Sequence, residues 1–161
     1  MGKVFVIANR KGGCGKSMTA ASLGIGLARQ GKKTLIIDAD SQHSLTVSMG
    51  MTEPDKLPVS LATIMSDVIN EKEINPSLGI IRHAEGADLM PSNSRLAGME
   101  IALAQLIGRE AILRQYIEKV KPLYDYCGVP KLVKAAAQVF DVGFVNRISR
   151  VSAFSDLIQI V

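Results

Sequence analysis

The sequence predicts an α/β fold in which a mostly parallel sheet is flanked by helices. Two short apolar runs, Lys3–Asn9 and residues 33–40, have the composition of buried strands. Between them lie a glycine-rich loop and a segment with apolar residues at helical spacing, which ends near Gly31. A strand, a loop, a helix and a second strand in this order form a βαβ unit, so we expect the two strands to be parallel.

The first helix follows the glycine-rich loop directly, and its apolar positions are Ala20, Leu23, Leu27 and Ala28. The segment 41–58 contains one glycine and two prolines and is predicted to be a loop. The later elements are predicted from their apolar spacing: a short helix over Val59–Asn70, short strands within 78–85 and 87–93, two helices over 96–120 that meet near Gly108, and a helix over Lys131–Phe140.

Length and composition suit one domain with an aliphatic core. The chain has 161 residues, is 47% hydrophobic and has only 4% aromatic residues. The net charge of +4 permits a nucleic-acid partner without requiring one. No apolar run approaches the roughly 20 residues of a membrane helix. Cys14 and Cys127 lie far apart and have no metal-ligand spacing, which favours a reducing cytoplasm.

The loop Lys11–Ser17, with the sequence KGGCGKS, is the feature that carries chemistry. Its end fits the common phosphate-binding pattern, but Arg10 stands where that pattern begins with glycine. Backbone N–H groups in such a loop point at phosphate oxygens, and the following helix dipole adds positive potential. The sequence therefore predicts a nucleotide-phosphate site formed by Lys11, Gly12, Gly13, Cys14, Gly15, Lys16, Ser17 and Met18.

Two acids end the second predicted strand. Asp38 and Asp40 would lie at the carboxyl edge of the sheet, where open α/β sheets bind ligands. There one of them can orient an attacking water or reach a water bound to Mg²⁺. The alternative is that acids after a buried strand simply meet solvent. For Asp38 the two interpretations stay open, whereas for Asp40 the functional one is favoured.

Residues 9–46 resemble the ParA/MinD-type partitioning ATPases, which carry the deviant loop K-G-G-x-G-K-[ST]. The segment looks closest to the ParA/Soj branch, in which the second strand ends in D-x-D-P-Q, and a looser likeness continues to Tyr126. The resemblance implies a P-loop NTPase-like fold, of which this chain would be an incomplete version. It also implies binding of ATP and Mg²⁺ in the cytoplasm.

The resemblance also implies roles for single residues. Lys11 matches the signature lysine, which crosses to the phosphates of a second subunit in an ATP-sandwich dimer. Lys16 matches the P-loop lysine, Ser17 the Mg²⁺ ligand, and Asp40 the acid used in hydrolysis. Asp38, on the same strand end, is assigned to the metal together with Ser17. The implied partners are a second copy of the chain, non-specific DNA and a ParB-like protein, with no membrane anchor.

The sequence departs from the family pattern at three positions. Met18 replaces a threonine, Ser41 replaces a proline, and Pro130 stands where the family has the Walker B aspartate near Mg²⁺. We therefore divide the chain into a ParA-like ATPase part, 1–126, and a divergent segment, 127–161. The sudden loss of likeness suggests truncation or a disrupted reading frame. The alternative to a ParA-type ATPase is a non-catalytic nucleotide-binding fragment that lacks the Walker B strand.

Overall fold

A computed structural model of the chain describes residues 2–9, 15–104, 110–132 and 158–160. Six strands form one sheet in the order β3-β4-β2-β5-β1-β6. The strands are β1 Lys3–Asn9, β2 Thr34–Ile37, β3 Ile81–Arg82, β4 Asp88–Met90, β5 Tyr126–Leu132 and β6 Ile158–Ile160. The helices are α1 Lys16–Arg29, α2 Ser44–Ser48, α3 Leu61–Ile69, α4 Arg95–Ala104 and α5 Glu110–Val120.

The central four strands are parallel, and the two outer strands are antiparallel to their neighbours. Strand β5 pairs with β1 from Lys3 opposite Tyr126 to Asn9 opposite Leu132, and with the first three residues of β2. Strands β2 and β4 are also parallel, whereas β3 runs against β4 and β6 runs against β1. The predicted mostly parallel sheet is therefore confirmed, with β5 between the two strands of the predicted βαβ unit.

Alternate side chains of the buried strands serve two separate cores. Val4 and Val6 of β1 belong to one core, while Phe5 and Ile7 belong to the other. The same alternation occurs along β2 and β4, as expected for residues that point to opposite faces of a sheet. Helices cover both faces, which explains why these strands are continuous apolar runs.

The helices divide between the two faces. Buried residues of α3, α4 and α5 share a core with Val4 and Val6, and Tyr116 of α5 is fully buried there. Helices α1 and α2 pack on the other face, where Ala20, Ala21 and Leu45 join the core that contains Phe5. The carboxyl ends of β1 and β2 remain at one edge of the sheet, between these layers.

Most predicted elements are confirmed. Strand β1 has the predicted bounds, and α1, β2 and α3 differ from prediction by a few residues at their ends. The prediction of a loop over 41–58 is wrong at α2 and at the 3₁₀ turn Pro54–Lys56. Both are short, five and three residues, so they contain too few apolar positions to show a helical period. Helices α4 and α5 are confirmed, while Gly108 lies outside the described residues.

The predicted helix Lys131–Phe140 is wrong at its first two residues, which belong to β5, and the rest of it lies outside the described ranges. A proline is tolerated in β5 because of where its nitrogen points. The Tyr126 N–H donates to the Lys33 carbonyl at 3.1 Å, so the nitrogen of Pro130, four residues on, faces β2 as well. Pairing with β2 has ended at Ile36 and Gly128, so Pro130 removes no hydrogen bond from the pairing with β1.

Candidate functional site

The predicted phosphate site begins at the carboxyl end of β1 and continues at the N-terminus of α1. Residues Lys11, Gly12, Gly13 and Cys14 lie outside the described ranges, so their predicted roles stay predictions. Gly15 precedes the helix with a φ of 78°, a left-handed conformation that glycine adopts without strain. Among the described residues other than its chain neighbours, none has a heavy atom within 4 Å of the position that a Cβ of Gly15 would occupy. This backbone is therefore open to close approach by a ligand.

The first turn of α1 presents positive potential without a competing acid. The Thr19 backbone N–H and hydroxyl both donate to the Gly15 carbonyl, at 2.8 and 2.9 Å, which closes the first turn. No acidic residue occurs in that turn. Lys16 and Ser17 are its half-buried first residues, and Met18 is 61% exposed. A helix N-terminus of this kind favours bound anions.

The two predicted acids follow β2 at the same edge of the sheet, because β1, β5 and β2 are parallel neighbours. Asp38 continues the pairing with β4, since its N–H donates to the Met90 carbonyl at 3.0 Å. Asp40 is half-buried, and its Oδ1 accepts a hydrogen bond from the Gln42 N–H at 3.0 Å. The fold thus brings the end of β2 and the N-terminus of α1 to one edge, as the sequence predicted.

Asp38 has a different environment from Asp40, because it is fully buried. Its Oδ2 accepts hydrogen bonds from the Thr46 N–H at 2.8 Å and the Thr46 hydroxyl at 2.6 Å. Its Oδ1 accepts the Asp40 N–H at 3.2 Å. Burial raises the pKa of Asp38 above its ordinary value, although the hydrogen bonds from Thr46 and Asp40 act in the opposite direction. Its predicted role toward a metal stays a prediction.

Thr46 and Ser92 also lie at this site, although the sequence did not predict them. Both are fully buried, Thr46 in α2 and Ser92 just after β4. The Ser92 N–H donates to Thr46 Oγ1 at 2.9 Å, and the Ser92 hydroxyl donates to the Asp40 carbonyl at 2.8 Å. Neither residue type nor spacing marks them, because their partners come from three separate segments. The one signal that could have found Ser92 is its position in the predicted strand at 87–93, which leads to this same edge.

The residues of this edge suit a magnesium ion that is shared with phosphates. In the described ranges, no three His, Cys, Asp or Glu side chains form a metal-binding cluster. Mg²⁺ is commonly held by few protein ligands together with phosphate oxygens and waters. The Ser17 hydroxyl, beside an open helix N-terminus, is a ligand of the type that this arrangement requires. The residues of this edge therefore fit a Mg²⁺ ion that binds together with a nucleotide.

The chain belongs to the family whose model is described as AAA domain (AAA_31), which matches residues 2–130. The resemblance to ParA/Soj-like P-loop ATPases is confirmed by sequence relatives. The chain is 36% identical over 126 residues to the sporulation initiation inhibitor protein Soj of Bacillus subtilis, which covers 78% of this chain and 48% of Soj. It is 33% identical over 119 residues to the chromosome partitioning protein ParA of Caulobacter vibrioides, which covers 74% of this chain and 43% of ParA.

Among solved structures, the fold is similar to cobyrinic acid a,c-diamide synthase from Mycobacterium smegmatis with a bound ATP analog and magnesium. The TM-score is 0.75 at 35% sequence identity, and the match covers 86% of this chain and 55% of the synthase. The chain thus spans about half the length of the relatives it matches. Among its described helices, none has the length and apolar character needed to cross a bilayer.

Proposed function

We propose that the chain is a ParA-type ATPase of the cytoplasm that binds ATP with Mg²⁺, pairs with a second copy and binds DNA to position plasmids or chromosomes. One observation carries the nucleotide site: Gly15 leads, in a left-handed conformation, into Lys16 and Ser17 at the N-terminus of α1. This N-terminus lies on the same sheet edge as Asp38 and Asp40. The similarity to Soj, ParA and a structure that holds an ATP analog supports the proposal.

Several residues of the loop would bind the phosphates and Mg²⁺. Lys16 would neutralise charge on the β- and γ-phosphates, and the backbone N–H groups from Gly12 to Gly15 would donate hydrogen bonds to the phosphate oxygens. The Ser17 hydroxyl would hold Mg²⁺, which when bound offsets the negative charge of the phosphates. Met18 supplies no hydroxyl to the nucleotide, so we expect weaker binding than a threonine would give.

Hydrolysis requires that a water be placed against the γ-phosphate. Asp40, at the end of β2, would orient that water, and Lys11 would reach the phosphates of the partner copy. A cation supplied across an interface couples turnover to dimerisation, because neither copy holds a complete site alone. DNA and a ParB-like protein would then act on the ATP-bound dimer.

Replacing Lys16 by alanine tests the nucleotide site. We expect Lys16→Ala to weaken binding of a fluorescent ATP analog at least about tenfold and to abolish turnover, because it removes the cation next to the phosphates. Lys56→Ala is the matched control, since Lys56 lies in the 3₁₀ turn Pro54–Lys56 and pairs with Glu53. Turnover that is equal in wild type and Lys16→Ala would contradict the proposal.

Replacing Lys11 by alanine tests the dimer separately. Light scattering should show ATP-dependent dimers for the wild type and only monomers for Lys11→Ala, while binding of nucleotide to the monomer persists. Addition of DNA and a cognate ParB-like protein should stimulate turnover of the wild type alone. Dimers that form equally well without ATP would contradict the sandwich arrangement.

A second candidate is a nucleotide-binding protein without turnover, and β5 favours it. This strand, Tyr126–Leu132, lies between β1 and β2, and its sequence YCGVPKL contains no acid. The family resemblance implies a Walker B aspartate at residue 130, where the chain has a buried proline. Nucleotide binding with no turnover, even with DNA and the ParB-like protein, would favour this candidate. Turnover that appears in Pro130→Asp but not in Pro130→Ala would assign the defect to the missing acid.

A further inference from the structure

Four residues at the carboxyl edge form a closed ring of hydrogen bonds. Asp38 Oδ2 accepts from Thr46, and Thr46 Oγ1 accepts from the Ser92 N–H. The Ser92 hydroxyl donates to the Asp40 carbonyl, and the Asp40 N–H donates back to Asp38 Oδ1. The ring joins the end of β2, helix α2 and the end of β4.

The direction of each bond in the ring is fixed by chemistry. Because Thr46 Oγ1 accepts the backbone N–H of Ser92, its own proton is directed to Asp38 at 2.6 Å. The Ser92 hydroxyl faces a carbonyl, which can only accept. Asp38, Thr46 and Ser92 are all fully buried, so water cannot replace a lost donor without entering the core.

The ring holds the peptide groups on both sides of the Asp40 side chain. The Asp40 N–H donates to Asp38 Oδ1. The Asp40 carbonyl accepts hydrogen bonds from the Ser92 hydroxyl at 2.8 Å and from the His43 N–H at 2.9 Å. The Asp40 carboxylate is also fixed through the Gln42 N–H. The half-buried carboxylate therefore extends from a backbone that has little freedom to rotate.

We propose that Thr46 and Ser92 are positioning residues that fix the Asp40 carboxylate for ATP hydrolysis, with Asp38 as the acceptor that joins them. This inference rests on the proposed function, in which Asp40 orients the attacking water. The three residues act through Asp40 and need not touch the nucleotide. Misplacement of a catalytic group by about 1 Å can cost about 100-fold in rate, so a distant hydroxyl can matter.

The isosteric change Thr46→Val removes the hydroxyl while it keeps the volume of the side chain. We expect kcat to fall about 10- to 100-fold with KM and nucleotide affinity within about twofold of wild type. Thr46→Ser restores the hydroxyl and should recover most of kcat. Ser92→Ala removes only the bond to the Asp40 carbonyl and should lower kcat in the same direction.

Thr34→Val is the matched control for loss of a buried hydroxyl. Thr34 is buried at the opposite end of β2, where its hydroxyl donates to the Lys32 carbonyl at 3.3 Å. Thr34→Val should lower thermal stability without changing kcat. If Thr46→Val keeps the wild-type kcat, or if Thr34→Val lowers kcat as much as Thr46→Val does, the positioning role is overturned.

Amide hydrogen exchange tests the ring without nucleotide, so it separates this inference from the proposed function. Thr46→Val should accelerate exchange of the Asp40 and His43 amides at least about tenfold, while Thr34→Val leaves them unchanged. Unchanged exchange at Asp40 in Thr46→Val overturns the inference, whether or not the wild type hydrolyses ATP. If exchange is faster in Thr46→Val but the wild type shows no ATP turnover, the ring is retained and the ATPase proposal is rejected.

Discussion

Gly24 is the residue at which α1 approaches β2 too closely for a side chain. A Cβ at this position would lie 2.5 Å from Cδ1 and 2.7 Å from Cγ1 of Ile36. Ile36 is fully buried, so its side chain has no space into which it can move. The close approach brings the helix, with the predicted phosphate site at its N-terminus, against the sheet.

We expect Gly24→Ala to lower the free energy of unfolding by about 1–3 kcal/mol, because the new methyl group overpacks the core. Gly26 offers a matched control on the same helix, since no described atom outside the helix's own backbone lies within 4 Å of its Cβ position. Gly26→Ala should raise the free energy of unfolding by about 0.5–1 kcal/mol through reduced backbone entropy. Urea denaturation of both variants checks this, and equal effects would contradict the proposed close contact.

For single residues, the residue types of the site could be predicted from the sequence, but their local environments could not. Gly15, Lys16 and Ser17 could be placed because a loop between a strand and a helix has few geometries. The burial of Asp38 could not be predicted, since its partner Thr46 lies in a helix of five residues with no periodic signal. The place of Ser92 in the site could not be predicted either, because its contacts to Thr46 and Asp40 depend on the order of the strands.

Strand β5 and helix α5 pack together and bury two weakly acidic groups. Cys127 of β5 and Tyr116 of α5 are both fully buried in the same core. Burial raises the pKa of the Cys127 thiol from an ordinary 9.0 to about 12. It raises the pKa of Tyr116 above its ordinary value as well. Ionisation of either group is therefore disfavoured in the folded state.

Because Cys127 and Tyr116 are buried in their neutral forms, we expect the free energy of unfolding to fall at alkaline pH. Above about pH 9 an unfolded chain loses the thiol proton, whereas the folded chain keeps it until about pH 12. The folded state then binds more protons, so the free energy of unfolding falls as pH rises, by at most about 1.4 kcal/mol per pH unit for each group. Thermal unfolding from pH 8 to 11 should show a shallower decline for Cys127→Ala than for wild type. Parallel declines would exclude Cys127 as a cause.

Strand β5 also shows where prediction from sequence fails at the scale of elements. Gly128 and Pro130 are unfavourable for a strand, so the pattern indicated a helix that begins at Lys131. The pairing with β1 and β2 overrides that local preference. Gly128 is favoured there for a tertiary reason, since a Cβ would lie 2.3 Å from Cζ of Phe5 on the neighbouring strand.

The whole sheet has two protected edges within the described residues. Strand β3 is two residues long, and β6 covers the outer side of β1 from Phe5 opposite Ile160 to Ile7 opposite Ile158. Without β6, β1 would present unpaired backbone groups at an edge of the sheet. The segment 127–161, predicted to diverge from the family, thus contributes β6 and most of β5 to the same sheet as β1.

Deletion of residues 158–161 is expected to lower the melting temperature by several degrees, about 4 °C or more, because β1 loses three paired residues. It should also increase self-association, since an exposed strand edge pairs readily with another chain. Differential scanning calorimetry and size-exclusion chromatography at several concentrations measure the two effects. A deletion variant that melts like the wild type and remains monodisperse would show that β6 adds nothing to the sheet.

The central position of β5 has a consequence for how the chain is made. Strands β1 and β2 are both complete by residue 37, yet they do not pair with each other, because β5 at 126–132 lies between them. A ribosome must therefore deliver nearly all of the described chain before the middle of the sheet can close. Until then β1 and β2 expose apolar faces and unpaired backbone, a state in which nascent chains depend on chaperones and fold slowly.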